Sequence, residues 1–304
     1  IQQEYDAIYV AIGAHTDKKL GLEGEDSKNV ISAVDMLREI GDGAYPDYTG
    51  KRVVVVGGGN VAMDCARTAM RANAETVSIV YRRRQDDMTA LPAEVEGAIA
   101  EGIELVTLKA PLRVEADAEG NACALWVQPQ IIGPVKGGRP SPRKANKPEE
   151  RMECDIVLVA IGQDIVSEPF ADFGMAVNRG RIAADKGGAA NMVGVYAGGD
   201  CVSGPATVIK AIAAGKAAAA NIDEYLGYHH PISCDVEIPE PMLNDKVPCG
   251  RVNLQEVEAW ARKTNFEGIE LPMSCEEAVQ EASRCLRCDR HGCGTLRGGR
   301  EFEW

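Results

Sequence analysis

Residues 51–70 read KRVVVVGGGNVAMDCARTAM. Four consecutive valines run into three glycines, and a stretch of small residues follows. The pattern predicts a strand over 52–56, a tight turn, and a helix over about 60–72. Gly57, Gly59 and Ala62 give the spacing G-x-G-x-x-A. In that spacing the first glycine permits the turn, and the second lets backbone approach a pyrophosphate. The small third residue lets helix and strand pack closely. The helix N-terminus offers unsatisfied N–H groups to an anion. Gly57, Gly58, Gly59, Asn60 and Val61 are therefore the candidate phosphate-binding residues. A second strand, TVSIVY at 76–81, completes a βαβ unit of dinucleotide-binding size.

The end of that second strand chooses the nucleotide. An acidic residue there would bind a free ribose 2′-hydroxyl. This chain instead places Arg82, Arg83 and Arg84 at that point. Guanidinium groups suit a 2′-phosphate, so NADPH is expected rather than NADH. The plain alternative is an exposed basic turn.

The rest of the 304-residue chain is consistent with an α/β protein of about two domains, with 32 glycines and only 5% aromatic residues. A net charge of −13 argues against duplex nucleic acid as a partner. The sequence contains no apolar run long enough for a membrane span and no export signal, and a cytoplasmic protein is expected. The chain opens at Ile1 directly into strand-like sequence, as the later part of a longer protein would. Ten cysteines in a chain with a sizeable core suggest thiols and one metal or iron–sulfur site rather than a disulfide scaffold.

Further elements are expected as a buried strand within 5–12, helices over 33–41 and 92–101, and short antiparallel strands over 103–130. Residues 133–150, rich in Gly, Pro and Lys, predict a solvent loop. Strands follow over 155–161 and near 181–184 and 194–197, then a helix over 206–226. Residues 231–272 predict an extended arm, and 274–286 a last helix. YVAIGAH at 9–15 is echoed by LVAIGQD at 158–164.

GVYAGGDCVSGPATVIKAIAAGKAAA, at 194–219, predicts a second cofactor half-site. A strand delivers Gly199 and Asp200 to its end, where the carboxylate can take a sugar or ribityl hydroxyl. A helix starting near Ala206, Thr207 and Val208 can donate N–H groups to a flavin. The plain alternative for Asp200 is a local cap.

These stretches resemble the small subunit of NADPH-dependent glutamate synthase. They also resemble the related flavoprotein subunits of electron-bifurcating ferredoxin–NADP oxidoreductases and hydrogenases. VVVVGGGNVAMDCARTAMR, VYRRRQDDMTALPAEVEGAIAEGIE, ECDIVLVAIGQ and the 194–219 segment carry the resemblance over most of residues 5–226. It implies two Rossmann-like domains, with an NADPH domain (51–150) inserted into a partial FAD domain (1–50 and 151–230), followed by an arm and cysteine tail (231–304). Ala11–Gly13 and Ala160–Gly162 would be the two crossings, placing Ala11, Gly13, Ala160 and Gly162 by the cofactors. An earlier strand–glycine–helix unit holds the FAD pyrophosphate in this family, and none precedes residue 5 here.

EASRCLRCDRHGCG places Cys285, Cys288 and Cys293 at C-x-x-C-x-x-x-x-C spacing. Two thiolates two residues apart can share a metal, and the third can join them. Cys275 and Cys249 are candidates for a fourth ligand, His291 less so. An iron–sulfur cluster, zinc and plain reduced thiols all remain open. Cys65 reads as packing, and no C-x-x-C accompanies Cys201 to make a redox dithiol. The absence of a C-x-x-C in the nucleotide domain speaks against a thioredoxin-reductase-like enzyme. His15, His229 and His230 read as loop residues.

The leading expectation is a module that passes electrons from NADPH through FAD to iron–sulfur centres or a partner subunit. The rival is a nucleotide-binding assembly module without turnover. No catalytic acid or base is assigned.

Overall fold

A computed structural model describes residues 4–136, 138–230 and 249–285. The chain forms two compact units. One takes the residues up to His15, Asp164–Gln255, and those from Glu270 on; the other takes Thr16–Gln163 and Glu256–Ile269.

The first unit opens with β1 (Ile8–Val10). The second includes β2 (Val30–Ser32) and α1 (Ala33–Gly41), whose first turn is capped by the Ser32 side chain. Then come β3 (Arg52–Gly57), α2 (Asn60–Arg71), β4 (Thr76–Tyr81) and α3 (Pro92–Ala100). Pro92 sits in the first turn of α3, where no N–H is needed. After β5 (Glu104–Thr107), the chain makes β6 (Lys109–Ala116), β7 (Ala122–Lys136), β8 (Arg139–Lys144) and β9 (Glu150–Glu153). β10 (Ile156–Ala160) closes the series.

Five of these strands form one parallel sheet in the order β2-β10-β3-β4-β5. The valines of β3 alternate between its faces. Val53 and Val55 pack with α1, α2 and α3 through Met36, Ala62, Met63, Val95 and Ala98. Val54 and Val56 pack on the other face with Val114, Leu125 and Val127 of β6 and β7. Both faces are covered, as a parallel sheet requires.

Three expectations change. β5 is parallel and joins the main sheet, so the antiparallel region starts only at β6. Residues 133–150 are not one long loop. β7 continues through Gly133 and Pro134, and β8 pairs back on it antiparallel. Pro140 and Pro142 have the same parity on β8, so their missing N–H groups share one side. An edge strand tolerates this, and β8 pairs only with β7. Third, the unit boundaries differ from 50/51 and 150/151. β2 and β10, expected in the partial FAD domain, are hydrogen-bonded into the sheet of β3, and the chain passes between units at 15/16 and 163/164. Beside those passages, Lys18 N donates to Gly162 O at 3.2 Å within the second unit.

The first unit also holds α4 (Glu168–Asp172), β11 (Val195–Ala197), α5 (Asp200–Ser203) and α6 (Val208–Tyr225). β1 and β11 form a two-stranded parallel sheet over a core that includes Val10, Ile182, Val195 and Cys201. Of the 18 residues of α6, only Ala218 is buried. The arm contributes α7 (Ala259–Arg262), which belongs to the second unit, and α8 (Cys275–Ser283), which belongs to the first.

The arm's segment in the second unit is held by a buried ionic cluster and by Phe266 against the Tyr45 ring, their centroids 4.7 Å apart. Glu101, just past α3, is fully buried. Arg71 reaches both its oxygens at 2.7 and 3.1 Å, Arg67 donates at 2.8 and 3.1 Å, and Arg262 of α7 donates through Nε at 2.9 Å. Arg262 also pairs with Glu256. Burial pushes the Glu101 carboxyl upward, but the bonds from Arg71 and Arg67 more than offset this and hold it below the usual range. Arg262→Ala would leave this buried charge under-compensated. The expected loss is about 3 kcal/mol in urea denaturation, with faster proteolysis within 256–269. An unchanged midpoint would show that the arm's docking does not rest on this pair.

Candidate functional site

The glycine turn is built by packing from three directions. A Cβ on Gly57 would lie 2.3 Å from the Ala160 carbonyl oxygen of β10. A Cβ on Gly58 would lie 2.4 Å from the Tyr81 ring, whose hydroxyl donates to the Asp87 carbonyl at 2.8 Å. Gly59 differs. A Cβ there would meet only Thr89 Oγ1, at 3.4 Å. The first two glycines admit protein, while the third is the least crowded, touching only one side-chain oxygen. Ala62 is fully buried in the helix–sheet core, as its spacing predicts.

Gly59 is the N-cap of α2 and supplies no side-chain bond to the helix. The Asn60 side chain points elsewhere, accepting from Leu91 N at 2.8 Å. Thr89 N and Ala90 N donate to Gly58 O at 2.9 and 3.2 Å, folding the loop after β4 back onto the turn. An uncapped helix N-terminus beside an open glycine is an arrangement that takes an anion.

The three arginines are not equivalent. Arg84 is forked onto Asp87, Nε to Oδ2 at 2.9 Å and a terminal nitrogen to Oδ1 at 3.0 Å. That pair holds the Asp87 carboxyl below its ordinary value. Arg83 donates through Nε to the Pro140 carbonyl at 2.9 Å. Arg82 is exposed and makes no ion pair or side-chain hydrogen bond among the described residues.

In the first unit, Gly198 and Gly199 follow β11. A Cβ on Gly198 would lie 2.2 Å from the Tyr9 hydroxyl, and Gly199 adopts φ 72°, a left-handed conformation that favours glycine. Asp200 Oδ1 accepts from Ala206 N at 3.2 Å, so the carboxylate does brace the next turn. α6 starts at Val208, two residues later than expected, because Thr207 is its N-cap and accepts from Lys210 N. A small cavity lies here, lined by Asp185, Lys186, Gly198, Gly199, Ser203 and Lys210. The first turns of α6 expose Val208 at 75% and Ile209 at 78%.

The crossing residues show no comparable site. Ala160 is buried with its carbonyl against Gly57, and Ala11 is exposed. Gly13 and Gly162 have φ of 67° and 122°. His15 Nδ1 lies 3.0 Å from the Ile12 carbonyl oxygen, while His229 and His230 pair with Glu224 and Asp223.

Among the described residues, no group of three or more His, Cys, Asp or Glu side chains could hold a metal. Cys288, His291 and Cys293 lie outside the described residues. Cys275 does not fit with Cys285 in one site. They stand at opposite ends of α8, about 15 Å apart along its axis at ~1.5 Å per residue. One metal ion cannot touch both sulfurs while α8 is intact. Cys249 lies at the other end, its Sγ 3.6 Å from Ser283 Oγ. Cys65, Cys154 and Cys201 are buried. Burial pushes the Cys65 and Cys154 thiols up to about 12, and that of Cys201 upward. They are packing residues and not nucleophiles.

Sequence reading missed Tyr81, Glu101 and Arg262. Glu101 carried one signal, an acid at the C-terminal end of a helix where the dipole disfavours it. Arg262 carried none.

A parallel α/β sheet with an open glycine turn at a helix N-terminus defines a dinucleotide-binding protein. The chain belongs to the pyridine nucleotide-disulphide oxidoreductase family, whose model matches residues 1–215. It is 37% identical, over 98% of its length, to the NADP(+)-dependent formate dehydrogenase subunit beta of Moorella thermoacetica, and covers 44% of that protein. It is 34% identical, over 95%, to the NADPH-Fe(3+) oxidoreductase subunit beta of Geobacter sulfurreducens, covering 49%. The glutamate synthase [NADPH] small chain of Escherichia coli is 32% identical over 73% of this chain and is covered to 51%. The chain thus spans about half the length of these relatives. Among solved structures, Mycobacterium tuberculosis FprA in complex with NADPH superposes with a TM-score of 0.61 at 20% identity, covering 74% of this chain and 65% of FprA. The Thermoplasma acidophilum thioredoxin reductase, at a TM-score of 0.57 and 21% identity, covers 73% and 66%. Both likenesses concern the fold.

Alkylation of the native protein with iodoacetamide at pH 8 should label Cys275 and spare Cys65, Cys154 and Cys201 until urea is added. Peptide mass spectrometry reads the result. Native labelling of Cys201 would contradict its burial.

Proposed function

We propose that this chain is the NADPH- and flavin-handling part of an electron-transfer oxidoreductase. The observation that carries the reading is the open, uncapped N-terminus of α2 beside Gly59, in the same βαβ unit as an unpaired Arg82. The names of two relatives matched over 95% or more of this chain, both NADP(H)-linked beta subunits, support it.

The backbone N–H groups of Asn60 and Val61 hold the pyrophosphate of NADPH. Arg82 binds the 2′-phosphate first, Arg83 assists while braced on Pro140, and Arg84 contributes only by leaving Asp87. Tyr81 keeps Gly58 in place beneath the turn. In the first unit, Asp200 and the N-terminus of α6 form one half of a flavin site, and a further strand–glycine–helix unit completes it. The exposed first turns of α6 fit a surface that such a unit covers. When both cofactors are bound, they supply hydride transfer from nicotinamide to flavin. The protein's part is to position and shield, and no acid or base is required of it.

Electrons leave to a partner subunit. Cys285, Cys288 and Cys293 provide three ligands for an iron–sulfur cluster, with Cys249 better placed than Cys275 to serve as the fourth. Zinc on the same thiolates is the second reading, favoured by the C-x-x-C spacing alone. The acidic charge and the cysteine content fit a cytoplasmic protein.

The test uses the purified chain supplied with FAD under anaerobic conditions. Flavin absorbance bleached by NADPH supports the reading. NADPH binding without flavin retention or bleaching favours an assembly module instead, and loss of NADPH binding altogether overturns both. Arg82→Ala should weaken NADPH binding about tenfold or more, the loss of one charge-assisted hydrogen bond, and leave NADH binding unchanged. Calorimetry measures both. Iron and acid-labile sulfide in about equal amounts support the cluster, and zinc alone overturns it.

A further inference from the structure

The β7–β8 hairpin is chemically unlike the rest of the chain. Residues 120–148 contain no Asp or Glu, yet carry Lys136, Arg139, Arg143, Lys144 and Lys147. This is a stretch of net +5 in a chain of net −13. Elsewhere on the same antiparallel sheet the cations are paired. Lys109 pairs with Glu150, Arg113 with Glu149 and Arg151 with Glu115. On the hairpin, Arg139, Arg143, Lys144 and Lys147 are exposed, and none makes an ion pair among the described residues.

Apolar residues are interleaved with these cations. Ile131 is 52% and Val135 67% exposed, and Ile132 is also exposed. Ile131 is the register partner of Arg143, and Ile132 of Pro142. Arg143 lies across the neighbouring strand, since a Cβ on Gly133 would come within 2.9 Å of its Cγ and 3.0 Å of its Nε. The base is firmly tied. Gln130 N donates to Leu108 O at 2.7 Å and Ala145 N to Pro129 O at 2.9 Å, and nearer the turn Arg83 donates to the Pro140 carbonyl. Little backbone ordering is left for a partner to induce, which favours binding.

We infer that this hairpin docks the acidic face of a partner protein. The inference rests on the reading that the chain hands electrons to a partner subunit. Arginine beside exposed aliphatic residues is an interface composition, and unpaired cations steer and orient an acidic partner. Nucleic acid is disfavoured, because five cations stand against a strongly acidic remainder and the centre of the hairpin is apolar.

The experiment measures surface plasmon resonance of the full chain on an immobilised acidic ferredoxin, from 50 to 300 mM NaCl. The comparison surfaces are a dT20 oligonucleotide and phosphatidylserine vesicles, with sedimentation velocity for self-association. Wild type should bind the ferredoxin with affinity that falls steeply with salt. Arg139→Glu/Arg143→Glu/Lys144→Glu should weaken binding tenfold or more, and Ile131→Asp should weaken it at every salt concentration. Lys144→Glu/Lys147→Glu serves as a second variant should the triple one misfold by circular dichroism. Four outcomes overturn the proposal: no ferredoxin binding, equal binding by the variants, stronger binding to the oligonucleotide or vesicles, or hairpin-dependent dimers. NADPH affinity and flavin bleaching are read in parallel. Their loss with hairpin-dependent binding retained overturns the proposed function alone.

Discussion

Strand β3 has no solvent face, and the second unit is built around that fact. Val53 and Val55 fill the helix side while Val54 and Val56 fill the side of the antiparallel sheet. Burying each valine is worth roughly 2 kcal/mol, and the four alternate so that neither layer can be removed without exposing two. β10 lies beside β3 in register, from Ile156 opposite Val53 to Ala160 opposite Gly57. At that last pair the Ala160 carbonyl occupies the place a side chain at 57 would need. The glycine turn is thus held by the same packing that holds the core.

Around the turn, charge is either spent internally or left available. Arg84 is committed to Asp87 and Arg83 to a backbone carbonyl, while Arg82 stays open. Arg67, Arg71 and Arg262 are all committed to Glu101, in a cluster buried enough that the loss of one member is costly. Arg139, Arg143 and Lys144 of the β7–β8 hairpin are exposed and, like Arg82, make no ion pair among the described residues. Residues 120–148 hold no acid to pair with them.

Much of the fold could be read from local sequence. β4, α1 and α2 lie within a residue of their expected bounds because each has its signals nearby: β-branched runs, Ser32 before α1, glycines before α2. The hairpin could not be read. Its prolines and glycines signal a loop, and only the partner strand reveals that Pro140 and Pro142 share the open side of an edge. The domain boundaries could not be read either. β2 and β10 lie far apart in sequence, and only the pairing of β2 with β10 and of β10 with β3 assigns them to its sheet.

For the candidate site, the sequence by itself determined the strand–glycine–helix unit, the arginine triplet after β4, and the absence of an acid at that point. These are short-range facts, fixed by residue type and spacing. Tertiary structure alone decided which arginine is free, that Tyr81 and Ala160 close the turn from beneath, and that Arg262 joins a carboxylate 161 residues before it. It also decided that Cys249, rather than Cys275, stands at the Cys285 end of α8. Each of these depends on a partner supplied from elsewhere in the chain, and spacing along a sequence carries no information about which distant group arrives.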